Sequence, residues 1–205
     1  MSPNRLEAFS DGVFAIAITL LVLDIHVPEP VPGTDLAGEL GAQWPSYVAY
    51  AVSFLTIGII WINHHAMIRR LREVDHEVLV LNLLLLLFVG VLPFTTALMA
   101  AYLKEGAGDH LAAAIYSGSF LAMSIAFAAL NWRILFHKPS LMAEALPDAR
   151  RRAILTRGVA GLIPYLLATI LAVVSAYVTL AICGAVALFY ALPRASGSER
   201  KPSPA

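Results

Sequence analysis

The chain has 205 residues, 59% hydrophobic and 14% charged, and its Lys and Arg balance its Asp and Glu to a formal net charge of zero. A soluble domain carries about 25% charged residues; charges this sparse, collected between long apolar runs, exclude a soluble globular chain, and the zero balance suggests no nucleic acid or other polyanionic partner. A lone cysteine, Cys183, in an apolar run permits no internal disulfide.

The expected fold is all-α, an integral membrane bundle of about six spans, each needing roughly 20 mostly apolar residues. The first runs from about Ser10 to Val27, without the basic flank and small-residue cleavage site of a signal peptide. The loop after it holds Pro28, Pro30, Pro32 and Gly33 and is expected to be an irregular connector. Trp44 and Tyr47 then stand where interfacial aromatics anchor a second span, from about Pro45 to Ala66. The third runs from about Glu77 to Tyr102 and the fourth from about His110 to Trp132, followed by a polar connection from Arg133 to Arg157. The fifth and sixth share the stretch from Val159 to Leu192, with their junction near Ser175 and Tyr177. Pro93 and Pro164 are candidate kinks. Residues 1–194 are expected to form one six-helix transmembrane unit, and the Ser/Pro-rich residues 195–205 a disordered tail.

Basic residues set the orientation. Arg5, the group Arg69, Arg70 and Arg72, the cluster from Arg133 to Arg157, and Arg194, Arg200 and Lys201 all fall on one side of a six-span chain. The other side carries only Lys104, so the positive-inside rule places both termini in the cytoplasm of a multi-pass cell-membrane protein. Five spans would put the Arg194 tail outside.

The first span holds the most informative residues. At 3.6 residues per turn, Gly12, Ile16, Thr19, Leu20, Leu23 and Val27 share one face. Such a stripe ordinarily faces lipid or packs in the bundle; the sharper reading is a pore lining, with Ile16, Leu20 and Leu23 as dewetting apolar rings and Thr19 as a ring of oxygens for a cation. The second span ends Trp61-Ile-Asn-His64-His65, which brings both histidines to the depth of Asp11, with Arg5 nearby. A polar network locking two helices is favoured there over direct chemistry. Adjacent histidines diverge by about 100° on a helix, so no metal site is expected there. Asp24 lies beside His26 at the far end of the first span, either to concentrate cations at a pore mouth or simply as an interfacial residue. No Walker A motif, G-x-S-x-G elbow, dinucleotide loop or TVGYG filter is present, and neither an enzyme nor a bound cofactor is expected.

Arg5, Phe9, Ser10 and Asp11 form an R-x-x-x-F-S-D motif that resembles the signature of the transmembrane protein 175 family of potassium channels. The run from Gly12 to Leu23 and the Trp61-x-x-His64-His65 ending extend the likeness. The resemblance implies a potassium-permeable homotetramer in the lipid bilayer, four-fold symmetric, its pore lined by the first helix of each subunit. It implies a bottleneck at Ile16, further rings at Leu20 and Leu23, modest potassium selectivity linked to Thr19, and a stabilising network of Arg5, Ser10, Asp11, Trp61 and His64 or His65. The leading reading is therefore a passive potassium channel with a hydrophobic constriction. The alternative is a small proton-coupled or secondary transporter working through Asp11 and His64/His65, against which stands the apolar midplane of the first span.

Overall fold

The computed structural model describes residues 2–29, 33 and 35–192. The described residues are helical apart from short connections. In chain order the helices are α1 (Pro3–Leu20), α2 (Leu36–Ala42), α3 (Trp44–Ile68), α4 (His76–Tyr102), α5 (Asp109–Trp132), α6 (Asp148–Ala160), α7 (Leu162–Leu171) and α8 (Ala176–Ala191). A 3-10 turn, Leu21–Asp24, prolongs α1, and a π turn, Arg133–His137, prolongs α5.

Five helical segments are long and apolar enough to cross a membrane: Pro3–Asp24, Trp44–Ile68, His76–Tyr102, Asp109–His137 and Asp148–Leu171. Helix α8 is apolar but has 16 residues. At 1.5 Å per residue it reaches about 24 Å against a hydrocarbon core of about 30 Å. The expected junction between the last two apolar segments is a turn ending at Ser175, whose hydroxyl accepts the Val178 N–H and starts α8.

Three expectations are corrected. Helix α1 begins at Pro3, well before Ser10, because proline suits the first helical turn and the polar residues that follow do not interrupt the helix. The first loop is not wholly irregular: the Asp35 carboxylate accepts the N–H groups of Ala37 and Gly38 and starts α2. The connection after α5 is shorter than Arg133 to Arg157, since Asp148–Ala160 is helical and meets α7 at Gly161. Pro93 lies inside α4 without ending it, and Pro164 sits in the first turn of α7, where its missing N–H is not needed. Pro30, Pro32 and the tail from 195 to 205 lie outside the described residues.

Helices α4 and α5 form the centre. Helix α4 packs against α1, α3 and α5; α5 packs against α7 and α8. Leu85, Leu92, Tyr116, Phe120 and Met123 are fully buried between them. Ser53 Oγ lies 2.8 Å from Thr96 Oγ1 and 3.1 Å from Tyr116 Oη, a hydroxyl cluster joining α3, α4 and α5. The α3–α4 connection is held by a second device. The Arg72 N–H donates to Leu141 O at 2.8 Å, and the Ala143 N–H to Arg70 O at 2.8 Å. Asp75 caps α4 through the Val78 N–H and also receives Arg133 at 2.8 Å and Lys138 at 3.2 Å. Partial burial pushes the Asp75 carboxyl upward, but the Val78 N–H, Lys138 and Arg133 outweigh it and hold it below the usual range.

Candidate functional site

Helix α1 is packed on one face and open on the other. Leu6, Ser10, Phe14, Ala17 and Leu21 are buried against α3 and α4. The opposite side carries Ile16 and Leu20, and Leu23 in the 3-10 turn, at 61%, 43% and 67% exposure, with Gly12 and Thr19 also exposed. Val27, expected on the same stripe and at the end of the first span, lies beyond the helical end at Asp24. Over the run from Ile16 to Leu23 the stripe rises about 10 Å at helical pitch. The Thr19 hydroxyl donates to Ile16 O at 2.9 Å, which leaves its oxygen lone pairs facing outward.

The polar end of α1 divides into two arms. In the buried arm, Ser10 Oγ donates to Leu6 O at 2.8 Å and accepts from Asn82 Nδ2 at 3.1 Å. Asn82 Oδ1 lies 2.7 Å from His64 Nε2. With the Asn82 amide donating to Ser10, its carbonyl must accept, so His64 carries its proton on Nε2. The His64 Nδ1 then has no hydrogen-bond partner among the described residues, and the ring lies 5.4 Å from that of Phe14. In the half-exposed arm, the Trp61 indole N–H donates to Asp11 Oδ1 at 2.8 Å, and His65 Nδ1 lies 2.7 Å from Glu7 Oε1.

The two histidines therefore part, as their 100° offset requires. Neither hydrogen-bonds Asp11, whose bonded partner is Trp61 rather than an imidazole. Arg5 is exposed, and its guanidinium makes no ion pair or hydrogen bond among the described residues. Ser10 and His64 are joined only through Asn82, and His65 is joined to Glu7. Asn82 reads from sequence only as an ordinary packing and hydrogen-bonding residue of a span, and Glu7 is not among the expected network residues. Glu7 was legible as one turn before Asp11 on the same face, and Asn82 as a lone amide in a run of leucines. Asp24 ends the 3-10 turn, half-buried; His26 Nδ1 contacts its backbone carbonyl at 3.1 Å, not its carboxylate. Glu7, Asp11 and His65 are the described residues that bring ligand atoms together as a metal ion would need.

A helical bundle with five segments of membrane-spanning length defines a polytopic membrane protein. The profile of the family described as endosomal/lysosomal potassium channel TMEM175 matches residues 5–93. A potassium channel of Streptomyces collinus is 49% identical over 187 residues, covering 91% of this chain and 90% of that protein. The crystal structure of a lysosomal potassium-selective channel TMEM175 homolog from Chamaesiphon minutus superimposes with a TM-score of 0.84 at 38% identity, over 95% of this chain and 98% of that one. The endosomal/lysosomal proton channel TMEM175 of Mus musculus is 40% identical over 113 residues, 51% of this chain and 23% of that longer protein. The chain belongs to the TMEM175 family, a family of ion channels and not of enzymes.

Proposed function

We propose that this chain is one subunit of a passive potassium channel, a homotetramer of six-span subunits around a pore lined by α1. The observation that carries the reading is the open apolar stripe of α1, Ile16, Leu20 and Leu23, on a helix whose other face is packed. One helix cannot enclose a pore, and a closed ring of copies is the ordinary way to bring such faces together. In that ring Ile16 is the narrowest and driest point, and Leu20 and Leu23 extend the constriction over about 10 Å. The Thr19 oxygens line the path one turn beyond Ile16 and give a modest preference for potassium over sodium. Asp24 stands at the far mouth. The Ser10–Asn82–His64 arm and the Asp11–Trp61 bond tie the polar end of α1 to α3 and α4, a network in which the exposed Arg5 takes no part among the described residues. Permeating potassium is the only ion that function requires, and no cofactor takes part. The basic residues put both termini on the cytoplasmic side of the cell membrane.

The test is potassium flux into liposomes carrying purified protein, with native mass spectrometry of the same preparation. The expected result is a tetramer with potassium flux exceeding sodium flux. Monomers or dimers only, or no flux in either gradient, overturns the reading.

A proton path is the second reading, favoured by the unpartnered Nδ1 of buried His64 and by the relatives named as proton channels. The ionisable groups of α1 lie near its ends, however, and the run from Gly12 to Leu23 offers only the Thr19 hydroxyl. Acidification of the liposome lumen without potassium flux would reverse the preference.

A further inference from the structure

We infer that Glu7, Asp11 and His65 form a binding site for a divalent first-row transition cation of the class of Zn2+, Co2+ or Ni2+, clamping the polar end of α1 to α3. Glu7 and Asp11 lie one turn apart on α1, so both carboxylates share a face; His65 comes from α3. One oxygen from each carboxylate and one imidazole nitrogen lie within 4.8 Å of one another. Bonds of about 2.0–2.2 Å place the ligand atoms of a tetrahedral ion about 3.5 Å apart. The ligand atoms span 2.7 Å between His65 Nδ1 and Glu7 Oε1 up to at most 4.8 Å, which brackets that separation.

Two further observations point to a cation rather than to a plain ion pair. His65 Nδ1 is shielded from solvent and 2.7 Å from Glu7 Oε1, yet the two do not meet in hydrogen-bond geometry. The second is charge. Two carboxylates are drawn together, and the contacts they make are with His65 and the Trp61 indole, neither of which carries a fixed positive charge. A divalent ion neutralises both at once. The Trp61 indole N–H donates to Asp11 Oδ1 at 2.8 Å, an outer-shell bond of the kind that steadies a ligating carboxylate. The Trp61 ring also lies against His65, with centroids 6.0 Å apart, and steadies the imidazole plane. One nitrogen and two oxygens suit borderline ions, whereas Ca2+ takes six to eight oxygens and Mg2+ retains most of its water. Three protein ligands leave a position for water.

The experiment titrates tag-free protein in mild detergent with Co2+, read by visible absorption, and then displaces the Co2+ with Zn2+. The expected result is saturation at one ion per chain and a higher thermal unfolding midpoint with Zn2+. Affinity falls at least about tenfold in Glu7→Gln and in His65→Gln. It stays unchanged in His76→Gln, which alters an exposed histidine at the start of α4. Glu7→Asp keeps the charge but withdraws the carboxylate, so it is expected to bind with intermediate affinity and serves if the neutral variants fail to fold. Absorption that does not saturate, binding equal in all variants, or a wild-type midpoint indifferent to Zn2+ overturns the proposal and leaves a Glu7–His65 ion pair. The result is separable from the channel reading: potassium flux without metal binding removes this site alone, and metal binding without flux removes the channel alone.

Discussion

Replacing Asn82 by Leu tests whether the buried arm fixes α1. The side chains are similar in size, so the change removes an amide without opening a large cavity. It strips a partner from His64 Nε2 and another from Ser10 Oγ, both fully buried. A buried polar group left unpaired costs about 1–3 kcal/mol. Hydrogen bonds between membrane helices average nearer 0.6 kcal/mol, because the unfolded chain also finds partners. Two such losses sum to roughly 1–6 kcal/mol, or about 2–24 °C in the unfolding midpoint of a chain this size. Ser10→Ala leaves only the Asn82 amide short of an acceptor, so about half that shift is expected. Thr19→Val removes a hydroxyl that is exposed and bonded only within its own turn, and should leave the midpoint within about 1 °C. The assay is thermal unfolding of purified protein in one detergent. Because Ser10 and Asn82 are in contact, the double variant should lose less than the two single losses added. Equal midpoints for Asn82→Leu and wild type, or a Thr19→Val loss as large, would refute the reasoning.

In liposomes matched for tetramer content, Ile16→Asn should wet the ring and raise both potassium and sodium flux; if Val22→Asn opens the path and Ile16→Asn does not, the wrong stripe has been assigned. Thr19→Val should lower the potassium-to-sodium ratio more than the current, read from the reversal potential. Asp75 has a depressed carboxyl pKa, so its contribution to stability is complete above its ordinary value of 3.8 and is lost as pH falls through the lower folded value. The acid-induced drop in unfolding midpoint should therefore be smaller in Asp75→Asn, and an unchanged acid limb would count against the Asp75–Arg133–Lys138 cluster. Gly108 stands at φ +88°, and a Cβ there would meet the Tyr102 ring at 3.1 Å. Gly108→Ala should cost about 1–2 kcal/mol, measured as a lower midpoint with flux per tetramer unchanged.

The middles of the long helices were legible because an apolar run of roughly 20 residues has few other fates in a chain so poor in charge. Their ends were not, since ends are decided by single side chains. The Asp35 cap creates α2 inside a loop, and α6 hides behind Arg150, Arg151 and Arg152, which read as a polar connection. The motif pointed to Ser10, Asp11, Trp61 and the histidine pair, but not to their pairing. Pairing depends on how far α1 is rotated against α3 and α4, and that is set by Phe14, Ala17 and Leu21 finding their places in the core. Asn82 reads from sequence as an ordinary hydrogen-bonding residue of a span with no partner named, and Glu7 lies outside the apolar stretch. The stripe itself was visible as a pattern, yet lipid also accepts Ile16, Leu20 and Leu23. In the proposed tetramer the two fates differ in what a rotation of α1 would cost. Toward lipid every outward orientation meets the same solvent, whereas a face turned to other copies must keep its direction. The buried Ser10–Asn82–His64 arm, together with Phe14, Ala17 and Leu21, ties α1 to α3 and α4.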